Sequence, residues 1–153
     1  MDVGVPVRPV EILLVEDSPN DVQLTIEAFK EGKIRANIHA VVDGVEALNF
    51  IRRQGKYADA VTPDLILLDL NMPRKDGRSV LSEIKSDEAL KHIPVIVLTT
   101  SAASEDILNS YRLHANSYIT KPVDLDQFFD AISSLGDYWL ELVKLPRDQE
   151  HDR

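Results

Sequence analysis

Apolar residues fall along the chain in two alternating rhythms. Unbroken aliphatic runs at Ile12–Val15, Leu65–Leu68 and Val95–Leu98, bounded by proline or polar residues, have the length and composition of strands buried on both faces. Two weaker runs, Asn37–Val42 and Ser117–Ile119, bring the strands to five, and Asn37–Val42 is expected nearer an edge of the sheet. Between them the spacing is helical: Val22, Ile26 and Phe29; Leu48 and Ile51; Val80, Leu81 and Ile84; Ile107, Leu108, Tyr111 and Leu113. The last helix, from about Asp124, carries Leu125, Phe128, Ile132, Leu135, Trp139 and Leu142. Punctuation agrees with the rhythm. Asp17 or Ser18 ahead of Pro19, the Asp43-Gly44 and Asp76-Gly77 turns, and Ser104 followed by Glu105 and Asp106 open helices, while Gly32 and Gln54-Gly55 close them.

Five strands alternating with five helices predict a flavodoxin-like three-layer α/β fold, (βα)5, around a five-stranded parallel sheet of order 2-1-3-4-5. The expected organisation is a lead-in over residues 1–9, a single domain over 10–145 with an extended last helix, and a tail over 146–153. In this order the carboxyl ends of strands one, three, four and five open on one edge. Glu16, Asp17, Asp69, Thr99 and Lys121 are therefore expected to converge there.

Composition narrows the chemistry available to such a crevice. The chain has no cysteine, which removes disulfides, thiolate metal sites and thiol nucleophiles together. Its net charge of −9 argues against a sequence-independent grip on DNA, which needs a basic face. No run is long enough to span a bilayer, and Met1–Pro6 lacks a basic region followed by an apolar one. The expectation is a soluble, cytoplasmic protein with no nucleic-acid or membrane partner.

Three carboxylates from different strand ends repel one another unless a cation sits among them. Magnesium suits this need, since it takes oxygen ligands, keeps several waters and is held by one or two carboxylates plus phosphate oxygens. Glu16, Asp17 and Asp69 against Lys121 and one divalent ion sum to zero, which leaves the site ready for an anion. A phosphoryl group arriving at Asp69 would meet the metal, the Lys121 ammonium and the Thr99 hydroxyl, with Asp69 as a carboxylate nucleophile. Each residue also has a plainer role open to it. Glu16 and Asp17 could cap the first helix, Thr99 could end a strand, and Lys121 could be a surface lysine before a proline. The Lys121-Pro122 turn is a candidate for a cis bond that aims the lysine.

At these residues the sequence resembles the receiver domain of two-component response regulators. Leu14-Val15-Glu16-Asp17, Asp69-Leu70-Asn71-Met72-Pro73 with Asp76-Gly77, Pro94–Thr99 and Tyr118-Ile119-Thr120-Lys121-Pro122 match in order and spacing, over roughly residues 10 to 135. The resemblance implies that Asp69 accepts phosphate from a histidine kinase and that Asp17, Asp69 and the backbone carbonyl of Asn71 bind Mg2+, with Glu16 assisting the metal. Mn2+ or Ca2+ would substitute in vitro. It also implies that Thr99 and Lys121 contact phosphoryl oxygens while Thr99 and Tyr118 move together as a switch. Leu113–Tyr118 and Tyr138–Pro146 further resemble the small regulators paired with cyanobacterial and bacterial phytochrome kinases. Departures from the usual pattern are Glu16 where aspartate is commoner, Thr100 where a smaller residue is usual, and His114 where glycine often ends a helix. All four histidines are read as surface or structural.

The rival readings are an aspartyl-phosphate phosphatase or phosphotransferase, a DNA-binding regulator, and a degenerate receiver acting as a scaffold. The first lacks an acid two residues after the nucleophile, where Asn71 stands. The second has only about 20 residues after the receiver, too few for another packed core. The third is disfavoured because no central residue is missing. Without an output domain the module is expected to signal through a surface. Phe129, Leu140 and Val143, off the main stripe of the last helix, point to a homodimer built from the helix after Ser104, the fifth strand and the last helix.

Overall fold

The structure is a computed structural model that describes residues 9–32, 34–70, 77–99 and 114–133 of the 153-residue chain. In chain order the elements are β1 (Val10–Val15), α1 (Pro19–Glu31), β2 (Ala36–Val41), α2 (Gly44–Arg52), a 3-10 turn (Gly55–Tyr57), β3 (Leu65–Asp69), α3 (Gly77–Ser86), β4 (Val95–Thr99), β5 (Ser117–Thr120) and α4 (Leu125–Ser133). All strand pairs are parallel and the order is β2-β1-β3-β4-β5, the topology that the alternation of elements predicts.

The three aliphatic runs become the interior strands β1, β3 and β4, and every residue of β3 and β4 is buried. Because side chains alternate across a strand, each run serves both faces. Leu13, Val15, Ile66, Leu68, Val95 and Val97 pack with Phe50 and Ile51 of α2 and with Val80, Leu81 and Ile84 of α3. Ile12, Leu14, Leu65, Leu67, Ile96 and Leu98 pack with Phe29 of α1 and with Phe128 and Ile132 of α4. The rings of Phe29 and Phe128 meet at 4.6 Å and join those two helices. Burial of such side chains contributes roughly 1.5–3 kcal/mol each. A helix cap contributes about 1 kcal/mol, so the doubly buried strands dominate the frame that carries the site.

Four local details differ from the sequence-based expectation. β2 runs one residue earlier, ending at Val41, and leaves Val42 58% exposed. α2 stops at Arg52 because Arg53 itself takes the left-handed conformation (φ 57°), ahead of the expected Gln54-Gly55. Thr25 joins the buried face of α1, its hydroxyl satisfied by donation to the Asp21 carbonyl at 2.9 Å. Phe129 is half-buried, 5.9 Å from the Phe128 ring and packed on the α1–α4 side of the core. It is therefore not the free apolar residue that its place off the stripe suggested.

Other expectations hold. Ser18 caps α1 by accepting from the Asp21 N–H, with Pro19 beginning the helix, and Asp43 caps α2 by accepting from the Glu46 N–H. His114 is left-handed (φ 71°) and the Lys121-Pro122 bond is cis. The helix predicted after Ser104, Asn71 with Asp76, and the last helix beyond Ser133 lie outside the described residues. Among the described residues no helix is long and apolar enough to cross a membrane.

Candidate functional site

The carboxyl edge of the sheet collects acids because β1 is followed by two and β3 ends on one. β1 delivers Glu16 and Asp17, held by a hydrogen bond from the Glu16 N–H to the Val41 carbonyl at 3.0 Å. β3 delivers Asp69 as its last residue, in register with Leu98. β4 ends on the buried Thr99, whose carbonyl accepts the Lys121 N–H at 2.8 Å. That bond fixes the turn after β5. Gln127 of α4 fixes it a second time, accepting from the Thr120 N–H and donating to the carbonyls of Thr120 and Pro122.

The Lys121 ammonium lies among the acids. It donates to Glu16 Oε1 at 2.9 Å and Oε2 at 3.2 Å, to Asp21 Oδ2 at 3.2 Å and to Asp69 Oδ2 at 3.3 Å. Its side chain is only 9% exposed and that of Glu16 only 1%, so this is a buried ion cluster, with charges far less screened than at the surface. Burial works against the Lys121 charge, but the Glu16 hydrogen bond and the charges of Asp69 and Glu16 outweigh it and raise its pKa. Burial also pushes the Glu16 carboxyl up to about 7; the Lys121 hydrogen bond pulls it back and the Asp69 charge adds to the rise.

Glu16, Asp17 and Asp69 each place a carboxylate oxygen within 4.8 Å of the others. An all-oxygen donor set of this kind fits a hard divalent cation. Asp17 is exposed while Glu16 and Asp69 are buried, so the cluster opens to solvent on the Asp17 side. Both oxygens of Glu16 are engaged by Lys121, and the Ser18 N–H donates to one of them at 3.3 Å.

The five residues expected to converge do so on this edge. Tyr118 lies on the same face of the sheet as Thr99: Thr99 pairs with Thr120, two residues on, and Tyr118 packs half-buried on the α2–α3 side of the core. Asn71 lies outside the described residues.

Two residues were not identified from sequence. Asp21 joins Glu16 and Asp69 as a third carboxylate on the Lys121 ammonium, so the charge count that balanced to zero omitted an acid. In the sequence it looks like an ordinary first-turn acid favoured by the helix dipole, and only the fold brings it to a lysine 100 positions away. Gly77 reads as part of a turn, but a Cβ there would fall 2.3 Å from the Asp69 carbonyl and 2.7 Å from Leu70 Cα. The missing side chain is what lets α3 start against the end of β3.

The family profile of the response regulator receiver domain matches residues 12–133. The chain belongs to this family. It is 47% identical over 138 residues to response regulator Rcp1 of Synechocystis, a match covering 90% of this chain and 94% of that protein. Among solved structures, the phosphorylated cyanobacterial phytochrome response regulator RcpA superposes with a TM-score of 0.72 at 49% identity, covering 86% of this chain and 94% of that one. The Mn2+-bound form of Rcp1 superposes with a TM-score of 0.68 at 45% identity, covering 88% and 97%. The chain is thus a receiver-domain response regulator related to phytochrome response regulators.

Proposed function

We propose that the protein is a phosphoacceptor of a two-component pathway, modified on Asp69 by a histidine kinase of the phytochrome type. The observation that carries this reading is the geometry at Asp69: a buried carboxylate at a strand end, 3.3 Å from a buried ammonium and within 4.8 Å of two further acids. An Asp69 oxygen attacks phosphorus, the P–N bond to the donor imidazole breaks as the P–O bond forms, and the donor, already protonated on its other ring nitrogen, leaves as neutral imidazole. Lys121 and Thr99 meet the phosphoryl oxygens, and Lys121 is held ready by the Thr99 carbonyl and the Gln127 clamp.

Asp17, Asp69 and the backbone carbonyl of Asn71 would hold Mg2+, with Glu16 acting through water because its own oxygens bind Lys121. The bound ion would supply charge neutralisation at the transferring group. Movement of Thr99 towards the phosphoryl group would be felt at Tyr118, on the same face one ladder step away. The output would be a surface, with a homodimer through the helix after Ser104, β5 and the last helix as its form. Relatedness to the regulator RcpA supports the kinase class. The acidic net charge of −9 supports an output that does not involve DNA.

Acetyl phosphate with Mg2+ should add one phosphoryl group, seen by intact-protein mass spectrometry, and Asp69→Asn or a chelator should prevent it. Undiminished modification of Asp69→Asn would remove Asp69 as the acceptor. Light scattering of the unmodified and phosphorylated protein, with truncation after Gly136 as the control, tests the dimer. Phe129→Glu would confound that test, since Phe129 also packs on its own core.

A further inference from the structure

A lysine ammonium has three N–H bonds to give, and those of Lys121 are all directed at carboxylates of Glu16, Asp21 and Asp69. These partners are not equivalent. Glu16 is almost wholly buried and holds the ammonium with both oxygens; released, it would be a buried charge left with the Ser18 N–H in place of an ammonium. Asp69 is the group that the proposed reaction converts. Asp21 is different from both, with a side chain 29% exposed in the first turn of α1. A carboxylate released there keeps its water and the positive end of the helix dipole. Its backbone stays fixed by the Ser18 and Thr25 hydroxyls, whichever way the side chain turns.

Resting on the reading of Asp69 as phosphoacceptor, we infer that Asp21 is a positioning residue that occupies one donor of Lys121 in the unmodified protein and yields it to a phosphoryl oxygen. No bond other than this hydrogen bond changes at Asp21. As a rival acceptor, Asp21 lowers the affinity of the crevice for a phosphoryl group and so sets how readily the modified state is reached. Simple repulsion between the Asp21 charge and an incoming anion predicts the same sign. The two differ in one respect: repulsion acts without Lys121, whereas competition for its donor does not.

Beryllofluoride with Mg2+ is the probe, titrated by calorimetry into the full chain, Asp21→Asn, Lys121→Met and the double variant. Asp21→Asn should bind about fivefold more tightly, the upper end for a partly exposed ion pair, and the gain should vanish in the Lys121→Met background. In the metal-free protein, without beryllofluoride, the 15N resonance of the Lys121 ammonium should shift in Asp21→Asn. An equal gain in both backgrounds would reduce Asp21 to a repelling charge and overturn the assignment. So would an unchanged affinity and ammonium resonance in a variant whose parent binds beryllofluoride. Failure of the unsubstituted protein to bind beryllofluoride would overturn the phosphoacceptor reading, and the role of Asp21 with it.

Discussion

The two ends of the sheet use polar residues in opposite ways. At the amino edge each group meets a complementary partner. Glu11 accepts from Asn37 at 2.9 Å and pairs with His39 at 2.8 Å, its N–H donates to Asp64, and Lys85 donates to the carbonyls of Lys91 and Ile93 and to Asn116 Oδ1. At the carboxyl edge three carboxylates, of Glu16, Asp21 and Asp69, share the Lys121 ammonium, and Asp17 stands beside two of them. A fold selected for stability alone has no use for that concentration of like charge. A concentration of like charge inside an otherwise satisfied scaffold is what supports the carboxyl edge as the proposed site.

The sharpest way to break this comparison is at Gly77, where the two demands meet. Gly77→Ala sets a Cβ against the backbone of Asp69 and Leu70, which cannot move aside as a flexible side chain would. Overpacking of this kind costs about 2–3 kcal/mol, to be read from urea midpoints, and it should also impair phosphoryl uptake because Asp69 moves. An unchanged midpoint would show that α3 shifts freely.

Glu16 gives the next largest effect. Its carboxyl is raised from 4.5 to about 7, so between those values the folded state binds more protons than the unfolded chain. The contribution of this group to stability is then full below about pH 4.5 and falls as pH rises to about 7, by about 2–3 kcal/mol. In chelator the wild type should lose this stability across that window, and Glu16→Gln should remove the slope. Added Mg2+ should flatten it, since a cation offsets the repulsion that ionisation creates. A slope unaffected by Glu16→Gln would place its origin elsewhere.

Asn116→Ala tests the amino edge. The Asn116 side-chain oxygen accepts from the Val95 N–H at 2.8 Å and from Lys85 at 3.1 Å, and leaving both donors without it should cost about 1–2 kcal/mol. Phosphoryl uptake at saturating acetyl phosphate should stay as it was. A loss of uptake without loss of stability would blur the division between the edges. The smallest effect is expected at Lys91→Ala. Its exposed pair with Glu88 should contribute less than about 0.5 kcal/mol, within the scatter of a thermal melt.

By itself the sequence determined the strands, the topology and most of the residues that gather at the candidate site. Ile12–Val15, Leu65–Leu68 and Val95–Leu98 have no alternative to double burial, and parallel strands joined by right-handed crossovers must open their carboxyl ends together. Once those runs are recognised, Glu16, Asp17, Asp69 and Thr99 follow from where each run stops, and Lys121 from where the weaker Ser117–Ile119 run does. What only the tertiary structure decided involves partners distant in sequence or a choice among near-equal local states. Asp21 meets Lys121 because α1 starts beside the turn after β5. Gly77 matters because α3 begins on the backbone of β3, and Phe129 is half-covered because α4 lies across the α1 side of the core. Periodicity records which face of an element is apolar, but not what stands opposite it. Likewise, the end of α2 at Arg52 instead of Gln54-Gly55, and of β2 at Val41 instead of Val42, turned on energy differences of about 1 kcal/mol, below what residue preference alone resolves.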